Sequence, residues 1–456
     1  MRPIVTAAEM RAAEQAVWAE DPGADLMARA ARAVVEEVAR LTPRRVLVVA
    51  GSGNNGGDGL FAAAELAQTL PVMCWLPLGA AHPQGLAAAR AAGAVVADEA
   101  AVRAELSPGT VVLDAFTGLG SRPGLPDDVA AVARAAAEAG ATVVSVDLPS
   151  GLDADSPEAH PSFAADVTVT FAAAKPCHEC HPAAARCGRV VVADIGVAVN
   201  VARAAAVEER DLSRWWRTPD ASSDKYSRGV VLLDTGSERF PGAAVLTAAG
   251  ALHAGAGLVR YVGPAVGQVL ARYPSVVAGW GRAQAVVIGS GWGAPDAARA
   301  RAAADTGLPV VADAEAIQSL PEGRHANWLI TPHAGELARL LGVERRQVER
   351  DPMGSARLAA MRTGATCLLK GGTQYVARPD GVVTVALGGV GWSAVAGSGD
   401  VLAGICGALL AQGLAPWQAA TAGASVQALA ARRHPGPYPP DSAAAFLPGV
   451  IAELAG

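Results

Sequence analysis

The sequence predicts an α/β protein of two domains, the first built on a doubly wound, mainly parallel sheet. Three observations lead there. Short apolar strands alternate with helical stretches through the first two hundred residues. A second series of the same kind begins at residue 230, and the stretch between them, 215–227, is polar without a clear period. A chain of 456 residues is long enough for two large domains, and 51% apolar against 18% charged residues supplies two cores and excludes extensive disorder.

Taken in order, Thr6 and Glu9 fit a capping box that opens a first helix, and Leu26, Ala30, Val34, Val38 and Leu41 form the apolar face of a second. Strands are predicted at 46–50, 72–76, 111–114, 143–147, 167–171 and 190–195, with helices such as 60–68 and 127–139 between them. The pattern then loosens into an alanine-rich stretch, 201–209, so the expected domains are 1–206 and 207–456. In the second domain strands are predicted at 230–234, 258–262, 285–288, 310–313, 329–331, 367–370 and 382–385. No internal repeat links the halves. Residues 401–431 lack Asp, Glu, Lys and Arg, yet Gln412, Gly413, Pro416, Gln418, Thr421 and Gln427 interrupt them. Two buried helices meeting at 413–416 are therefore expected, not a membrane span.

Charge and cysteine narrow the class. With 43 acidic and 37 basic residues the chain has no bulk attraction for nucleic acid. Six scattered cysteines do not make a disulfide framework, and residues 1–15 carry acids and arginines instead of an apolar run, so a reducing cytoplasm is the expected setting. Lys175, Lys225 and Lys370 are the three lysines among 37 basic residues, which makes their positions worth following.

The first loop that carries chemistry is Gly51-Ser52-Gly53-Asn54-Asn55-Gly56-Gly57-Asp58-Gly59, after strand 46–50, with a helix expected from about Leu60. Five glycines in nine residues let the backbone take φ > 0 and approach a ligand closely, while a helix N-terminus behind them favours an anion. No acid lies between Glu65 and Asp98 to meet a ribose, so the dinucleotide fingerprint is incomplete, and no Walker lysine points to triphosphate hydrolysis. A turn built from Gly, Asn and Asp is the plainer alternative. Two further strand ends carry polar groups, at Asp114-Ala115-Phe116-Thr117-Gly118-Leu119-Gly120 and at Asp147-Leu148-Pro149-Ser150. Ligands of open α/β sheets bind beyond the carboxyl ends of strands, so Asn55, Asp114, Asp147 and Ser150 can converge on one cleft. An all-oxygen set of this kind suits a hard cation, although each Asp alone could equally cap a helix.

These motifs resemble the NAD(P)H-hydrate epimerase domain over roughly residues 1–205. The resemblance implies an exchange of the two hydroxyl epimers of NADH or NADPH hydrated on the nicotinamide ring. It implies that Asn54, Asn55, Gly56, Gly57, Asp58, Gly118, Leu119, Gly120, Ser121, Arg122, Pro123, Gly124 and Asp147 hold that substrate, and that Asn55, Asp114 and Ser150 bind potassium. Asp147 is the expected acid/base residue, with Asp153 in reserve, because the carbon bearing ring nitrogen and hydroxyl must exchange faces with proton transfer. Lys175, after strand 167–171, is expected near the cleft. Cys177, His178, Cys180, His181 and Cys187 suggest zinc by type, but no second ligand pair follows, so they are read as a surface loop with incidental thiols.

The second half closes with Gly397-Ser398-Gly399-Asp400 ahead of an apolar helix. Backbone N–H groups there form an anion hole for a transferring phosphoryl group, and Asp400 is placed to accept the proton of an attacking hydroxyl; a helix-capping Asp is the alternative. This signature resembles the ribokinase-like superfamily. Together with Asp224-Lys225-Tyr226-Ser227-Arg228-Gly229, Gly289-Ser290-Gly291, Thr331-Pro332-His333 and Lys370-Gly371-Gly372-Thr373-Gln374, it resembles the ADP-dependent NAD(P)H-hydrate dehydratase domain over roughly residues 207–456. The resemblance implies phosphorylation of the (S) hydrate by ADP and elimination of phosphate, giving NAD(P)H and AMP. Gly291, His333 and Asp400 would contact the hydrate; Lys370, Gly371, Gly372, Thr373, Gln374, Gly397, Ser398 and Gly399 would contact ADP. Magnesium and potassium ions, NADHX and NADPHX as substrates, and a homo-oligomer without nucleic-acid or membrane partners complete the expectation. Gly389-Val390-Gly391-Trp392 departs from the Asn-Pro pair usual in that family. A small-alcohol kinase with a non-catalytic N-terminal nucleotide-binding module is the alternative reading.

Overall fold

The computed structural model describes residues 1–120, 122–199, 203–216 and 218–456, and the chain divides into two compact units: Arg2–Ala202, and Arg203–Gly456 with Met1. In the N-terminal unit, strands β1 (Arg45–Ala50), β2 (Val72–Trp75), β3 (Val95–Ala97), β4 (Thr110–Ala115), β5 (Thr142–Val146), β6 (Val167–Phe171) and β7 (Arg189–Ala193) form one parallel sheet in the order β3-β2-β1-β4-β5-β6-β7. The chain winds outward from β1 in one direction and then from β4 in the other. The switch point therefore lies between β1 and β4, where ligands of such sheets bind.

Alternate residues of each central strand feed opposite cores. Val46 and Val48 pack with Val34, Val38 and Leu60 on one face, and Leu47 and Val49 with Val129, Val132 and Phe163 on the other. Each such side chain contributes about 1.5–3 kcal/mol on burial. The capping box forms as expected: Glu9 N–H donates to Thr6 Oγ1 at 3.2 Å and Thr6 N–H to Glu9 Oε2 at 2.8 Å, opening helix Ala7–Glu20. Strand β3 escaped the sequence reading because it is three residues long and Val95 is exposed.

The glycine-rich segment differs from expectation. Helix Asn54–Leu66 begins at Asn54, not near Leu60, and none of Gly51, Gly53, Gly56, Gly57 or Gly59 has a positive φ. Space is what Gly51, Gly56 and Gly59 provide: a Cβ at Gly51 would overlap the Phe116 carbonyl, one at Gly56 the Gly51 carbonyl, and one at Gly59 the Ala115 side chain. The helix is thereby drawn down onto the ends of β1 and β4.

In the C-terminal unit, β8 (Ala204–Ala206), β9 (Val230–Asp234), β10 (Leu258–Tyr261), β11 (Val277–Ala278), β12 (Ala285–Ile288), β13 (Val310–Ala312), β14 (Trp328–Ile330), β15 (Thr366–Leu369), β16 (Tyr375–Ala377) and β17 (Val383–Val385) stand in the order β8-β17-β16-β15-β14-β13-β12-β9-β10-β11. Pairing is parallel except at β15/β16 and β16/β17, and the switch point lies between β9 and β12. Strand β8 lies before the expected boundary after residue 206, yet it pairs in register with β17 of the second unit. Its alanines carry no pattern, and main-chain hydrogen bonds assign them. Residues 401–411 and 416–431 fall in helices Ser398–Ala411 and Pro416–Arg433, both largely buried, and among the described residues no helix is long and apolar enough to cross a membrane.

Helices Pro241–His253 and Ser398–Ala411 touch backbone to backbone: a Cβ at Gly404 would overlap the Thr247 carbonyl, and one at Gly250 the Val401 carbonyl. Gly404→Ala is expected to cost about 1–3 kcal/mol in urea unfolding, because backbone cannot yield as a side chain does. Gly242→Ala, which meets nothing within 4 Å, is expected to be neutral or stabilising by up to about 1 kcal/mol.

Candidate active sites

Beyond the ends of β1, β4 and β5 lies a cleft of about 590 Å³, lined among others by Asn54, Asn55, Asp58, Gly118, Leu119, Gly120, Asp147 and Lys175. Gly56 and Gly57 lie buried in the first helical turn beneath it. Arg122, Pro123 and Gly124 do not line it: Gly124 N–H instead donates to the Gly151 carbonyl. Ser121 lies outside the described residues. Asp153 is not at the cleft either, since its Oδ1 accepts from Asp155 N–H in a local turn, so it does not stand in reserve for Asp147.

Asp147 sits at φ 66°, a left-handed conformation held by its N–H donating to the Val169 carbonyl at 2.7 Å. Its Oδ1 accepts from Lys175 Nζ at 2.8 Å and from Thr170 Oγ1 at 3.0 Å; no described residue donates to Oδ2. Lys175, wholly buried, also donates to Thr170 Oγ1 at 2.7 Å. Burial pushes the Asp147 carboxyl up, but the ammonium of Lys175, its hydrogen bond and His178 outweigh it and hold the group below its ordinary value. Asp147 is thus an anion at neutral pH.

The opposite tendency governs its neighbours. Asp58 carries no hydrogen bond from a described residue, and burial, with the charges of Asp147 and Glu14, raises its carboxyl well above the usual range. Glu14 is raised by burial and by Asp147, against the opposing pull of Lys175 and Arg11. Arg11, Glu14 and Trp18 come from helix Ala7–Glu20 and were missed in the sequence. Their polar stripe there is indistinguishable from a solvated face.

Asn55, Asp114 and Ser150 meet around Thr117. Asn55 Nδ2 donates to the Thr117 carbonyl at 3.0 Å, Thr117 N–H to Ser150 Oγ at 2.8 Å, and Ser150 N–H to Asp114 Oδ2 at 2.8 Å. Asp114 caps no helix. It is wholly buried, its other partners are the Ser145 hydroxyl and Phe116 N–H, and burial pushes its carboxyl up to about 6. A buried carboxylate served by neutral donors, beside the Asn55 amide and Ser150 hydroxyl oxygens, is an all-oxygen set that fits a hard cation. The cysteine segment is not a surface loop: Pro176–Glu179 is a helical turn, and Cys177, His178, Cys180 and Cys187 are buried behind Lys175. Burial pulls the His178 imidazole down to about 3 and raises the Cys177 thiol.

In the C-terminal unit, Asp313 follows β13 and accepts from Lys370 Nζ at 2.7 Å, Thr331 Oγ1 at 2.7 Å and Ser290 Oγ at 2.8 Å. Although burial pulls the Lys370 ammonium down, the charges of Asp313 and Glu336 outweigh it and raise the group. A Cβ at Gly399 would lie 3.2 Å from Nζ, so Lys370 stands at the N-terminus of helix Ser398–Ala411, where Gly397, at φ 92°, turns the chain in. Asp400 in the first turn makes no capping bond; burial and the charge of Asp313 push its carboxyl up to about 7. His333 bridges to Lys370 and caps helix Ala334–Leu341, accepting from Gly335 N–H at 2.9 Å. Gly291, at φ 69°, packs against Ala243 and Gly236. Gly371 and Gly372 are exposed, while Thr373 is buried. The divergent stretch forms a turn whose Trp392 is exposed and lines a small slot with His434, Tyr438 and Phe446. Asp313 was not singled out in the sequence, although it ends a strand as Asp114 and Asp147 do. Among the described residues no group of three or more His, Cys, Asp or Glu is placed to hold a metal.

Comparison with known proteins gives a consistent result. The family model described as "YjeF-related protein N-terminus" matches residues 23–177, and that described as "NAD(P)H-hydrate dehydratase" matches 230–443. A Mycobacterium tuberculosis protein named bifunctional NAD(P)H-hydrate repair enzyme Nnr is 38% identical over 444 residues, covering 92% of this chain and 91% of that one. An Escherichia coli protein of the same name is 32% identical over 450 residues, covering 90% and 85%. A ribokinase-like superfamily protein from Enterococcus faecalis superposes with a TM-score of 0.51 at 20% identity, covering 56% of this chain and 98% of that one, and shows the fold of the C-terminal unit.

Lys175→Ala is expected to cost about 3–5 kcal/mol by leaving a buried charge unpaired. The pH dependence of unfolding also changes sign. In the native chain the lowered Asp147 group contributes stability above its unfolded value near 3.9, lost as pH falls through the folded value. Without the ammonium, burial raises the group, so stability is lost as pH rises. Urea unfolding from about pH 2 to 8 reads both limbs.

Proposed function

The chain belongs to the family of bifunctional NAD(P)H-hydrate repair enzymes, and on that premise we propose how its residues divide the work. The N-terminal unit is the epimerase, exchanging the (R) and (S) hydrates of NADH and NADPH; the C-terminal unit is the dehydratase, returning the (S) hydrate to NAD(P)H. The observation that carries this reading is the match over nine-tenths of the chain, spanning both units. The alternative, an alcohol kinase with an idle N-terminal module, is not favoured by relatives that share both halves. Six free, buried cysteines are in keeping with a reducing cytoplasm as its setting.

In the epimerase cleft the first-turn N–H groups of helix Asn54–Leu66 favour the substrate's pyrophosphate, and Asp147 takes and returns the hydroxyl proton. Asn55, Asp114 and Ser150 would hold a potassium ion, which supplies positive charge beside a carboxylate otherwise met by neutral donors. In the dehydratase site Asp400 accepts the hydroxyl proton of the (S) hydrate as its oxygen bonds to the β-phosphorus of ADP and AMP leaves. N–H groups of Gly397, Ser398 and Gly399, with Lys370, stabilise the phosphoryl charge. Phosphate then departs with its carbon–oxygen bond pair as the adjacent ring carbon loses a proton, which restores the ring double bond. Lys370 to Gln374 would line the ADP side, Gly291 and His333 the hydrate side. Magnesium would arrive on the ADP phosphates and screen their charge.

Recovery of reduced-nicotinamide absorbance from a mixed-epimer preparation, with ADP, magnesium and potassium, tests the whole. Full recovery is expected from the native chain. Asp147→Asn should stop at the (S) fraction plus slow spontaneous epimerisation, and Asp400→Asn should recover nothing; no recovery from the native chain contradicts the assignment. The pH profile adds a sign. Asp400 must be ionised to act as base, so kcat/KM for dehydration should fall about tenfold per unit below its value of about 7 and level off above it.

A further inference from the structure

The cleft of the N-terminal unit holds two aspartates whose partners differ sharply. Asp147 is pinned by Lys175 and Thr170 through one oxygen, with the other left without a donor among the described residues. Asp58, on the first turn of helix Asn54–Leu66 across the switch point, lines the same cleft and takes no hydrogen bond from any described residue. Its surroundings are acidic. Glu14 and Arg11 face the cleft from helix Ala7–Glu20, Asp147 from the end of β5, and Lys175 from beyond β6; the His82 ring packs on the same helical turn at Gly57. The cations of this set are Arg11 and Lys175, and Lys175 is already committed to Asp147.

The chemistry needs both an acid and a base. The hydroxyl-bearing carbon can present its other face by breaking its bond to the ring nitrogen, rotating as an aldehyde and closing again. Opening removes a proton from the hydroxyl and delivers one to the nitrogen; when the two transfers occur together, an anionic Asp147 does the first and a second group does the other.

We propose that Asp58 is the general acid of the epimerase, paired with Asp147 as general base. On opening, the hydroxyl proton passes to Asp147 as C=O forms, the carbon–nitrogen bond pair goes to the ring nitrogen, and Asp58 protonates that nitrogen. On closing from the other face, the nitrogen attacks the aldehyde carbon and returns its proton to Asp58, while Asp147 returns its proton to the oxygen. No proton or electron is gained or lost over the cycle. The division agrees with the environments: burial and the neighbouring carboxylates favour the neutral form of Asp58, and Lys175 favours the charged form of Asp147. The inference rests on the epimerase reading and replaces simple substrate holding by Asp58 with proton transfer.

The test uses the full chain and separately prepared (R) and (S) hydrates, without ADP, following their interconversion by chromatography. Asp58→Asn keeps size and polarity but cannot give up a proton in turn, so kcat is expected to fall a hundredfold or more with KM little changed. Asp58→Glu should restore part of the rate. In the native chain the rate should fall as pH rises through the Asp58 titration, because the neutral acid is lost; in Asp58→Asn that alkaline limb should vanish. A rise in KM at unchanged kcat, or an alkaline limb that survives the substitution, overturns the proposal and leaves Asp58 a binding residue. A native chain that does not interconvert the hydrates overturns the epimerase reading itself, a result distinct from both.

Discussion

A carboxylate removed from water is unfavourable unless a cation or several donors sit beside it, and both units of this chain are arranged around that requirement. Each places an aspartate at the carboxyl edge of a parallel sheet, one strand beyond the switch point. Each supplies a lysine from a later strand end, Lys175 to Asp147 and Lys370 to Asp313. Of three lysines in a chain otherwise reliant on arginine, two are spent this way, and the third, Lys225, lies exposed over the Tyr226 ring. A compact ammonium fits a pocket where a planar guanidinium would not. Once these pairs are fixed, the remaining carboxyls nearby, Asp58 in one unit and Asp400 in the other, are pushed toward their neutral forms. In the N-terminal cleft a charged acid and one that holds its proton thus share one site, as proton transfer in both directions requires, while in the C-terminal unit Asp400, at about 7, is left a base near neutrality.

The glycines serve the same end by geometry. Gly51, Gly56 and Gly59 are not turn formers; they let the helix that carries Asn55 and Asp58 lie against β1 and β4, and so bring Asp58 into the cleft that Asp147 enters from β5. At Gly397 the opposite holds, since its φ of 92° turns the chain into the helix that bears Asp400. The same residue type therefore does two jobs in the two sites, one steric and one conformational.

Much of this was legible in the sequence. Strand positions, the capping box at Thr6, the paired helices after residue 398 and the aspartates ending strands all follow from periodicity and local chemistry. What could not be read depends on long-range pairing. Ala204–Ala206 carries no pattern, and only its register with β17 assigns it to the second unit. The buried state of Cys177 and His178 follows from Lys175 being drawn inward to Asp147, a contact across 28 residues. Arg11 and Glu14 became cleft residues because a helix with an ordinary polar face lies over the switch point. Asp313 was legible in principle, for it repeats the strand-end position of Asp114 and Asp147.

Carbon-detected NMR of aspartate carboxyls in the intact chain reads the two aspartates of the N-terminal cleft directly, with Asp58→Asn and Asp147→Asn assigning the two signals. An Asp147 carboxyl ionised at neutral pH and down past the usual range near 3.9 is expected, beside an Asp58 carboxyl that keeps its proton to well above that range. Both groups titrating together near 4 would contradict it.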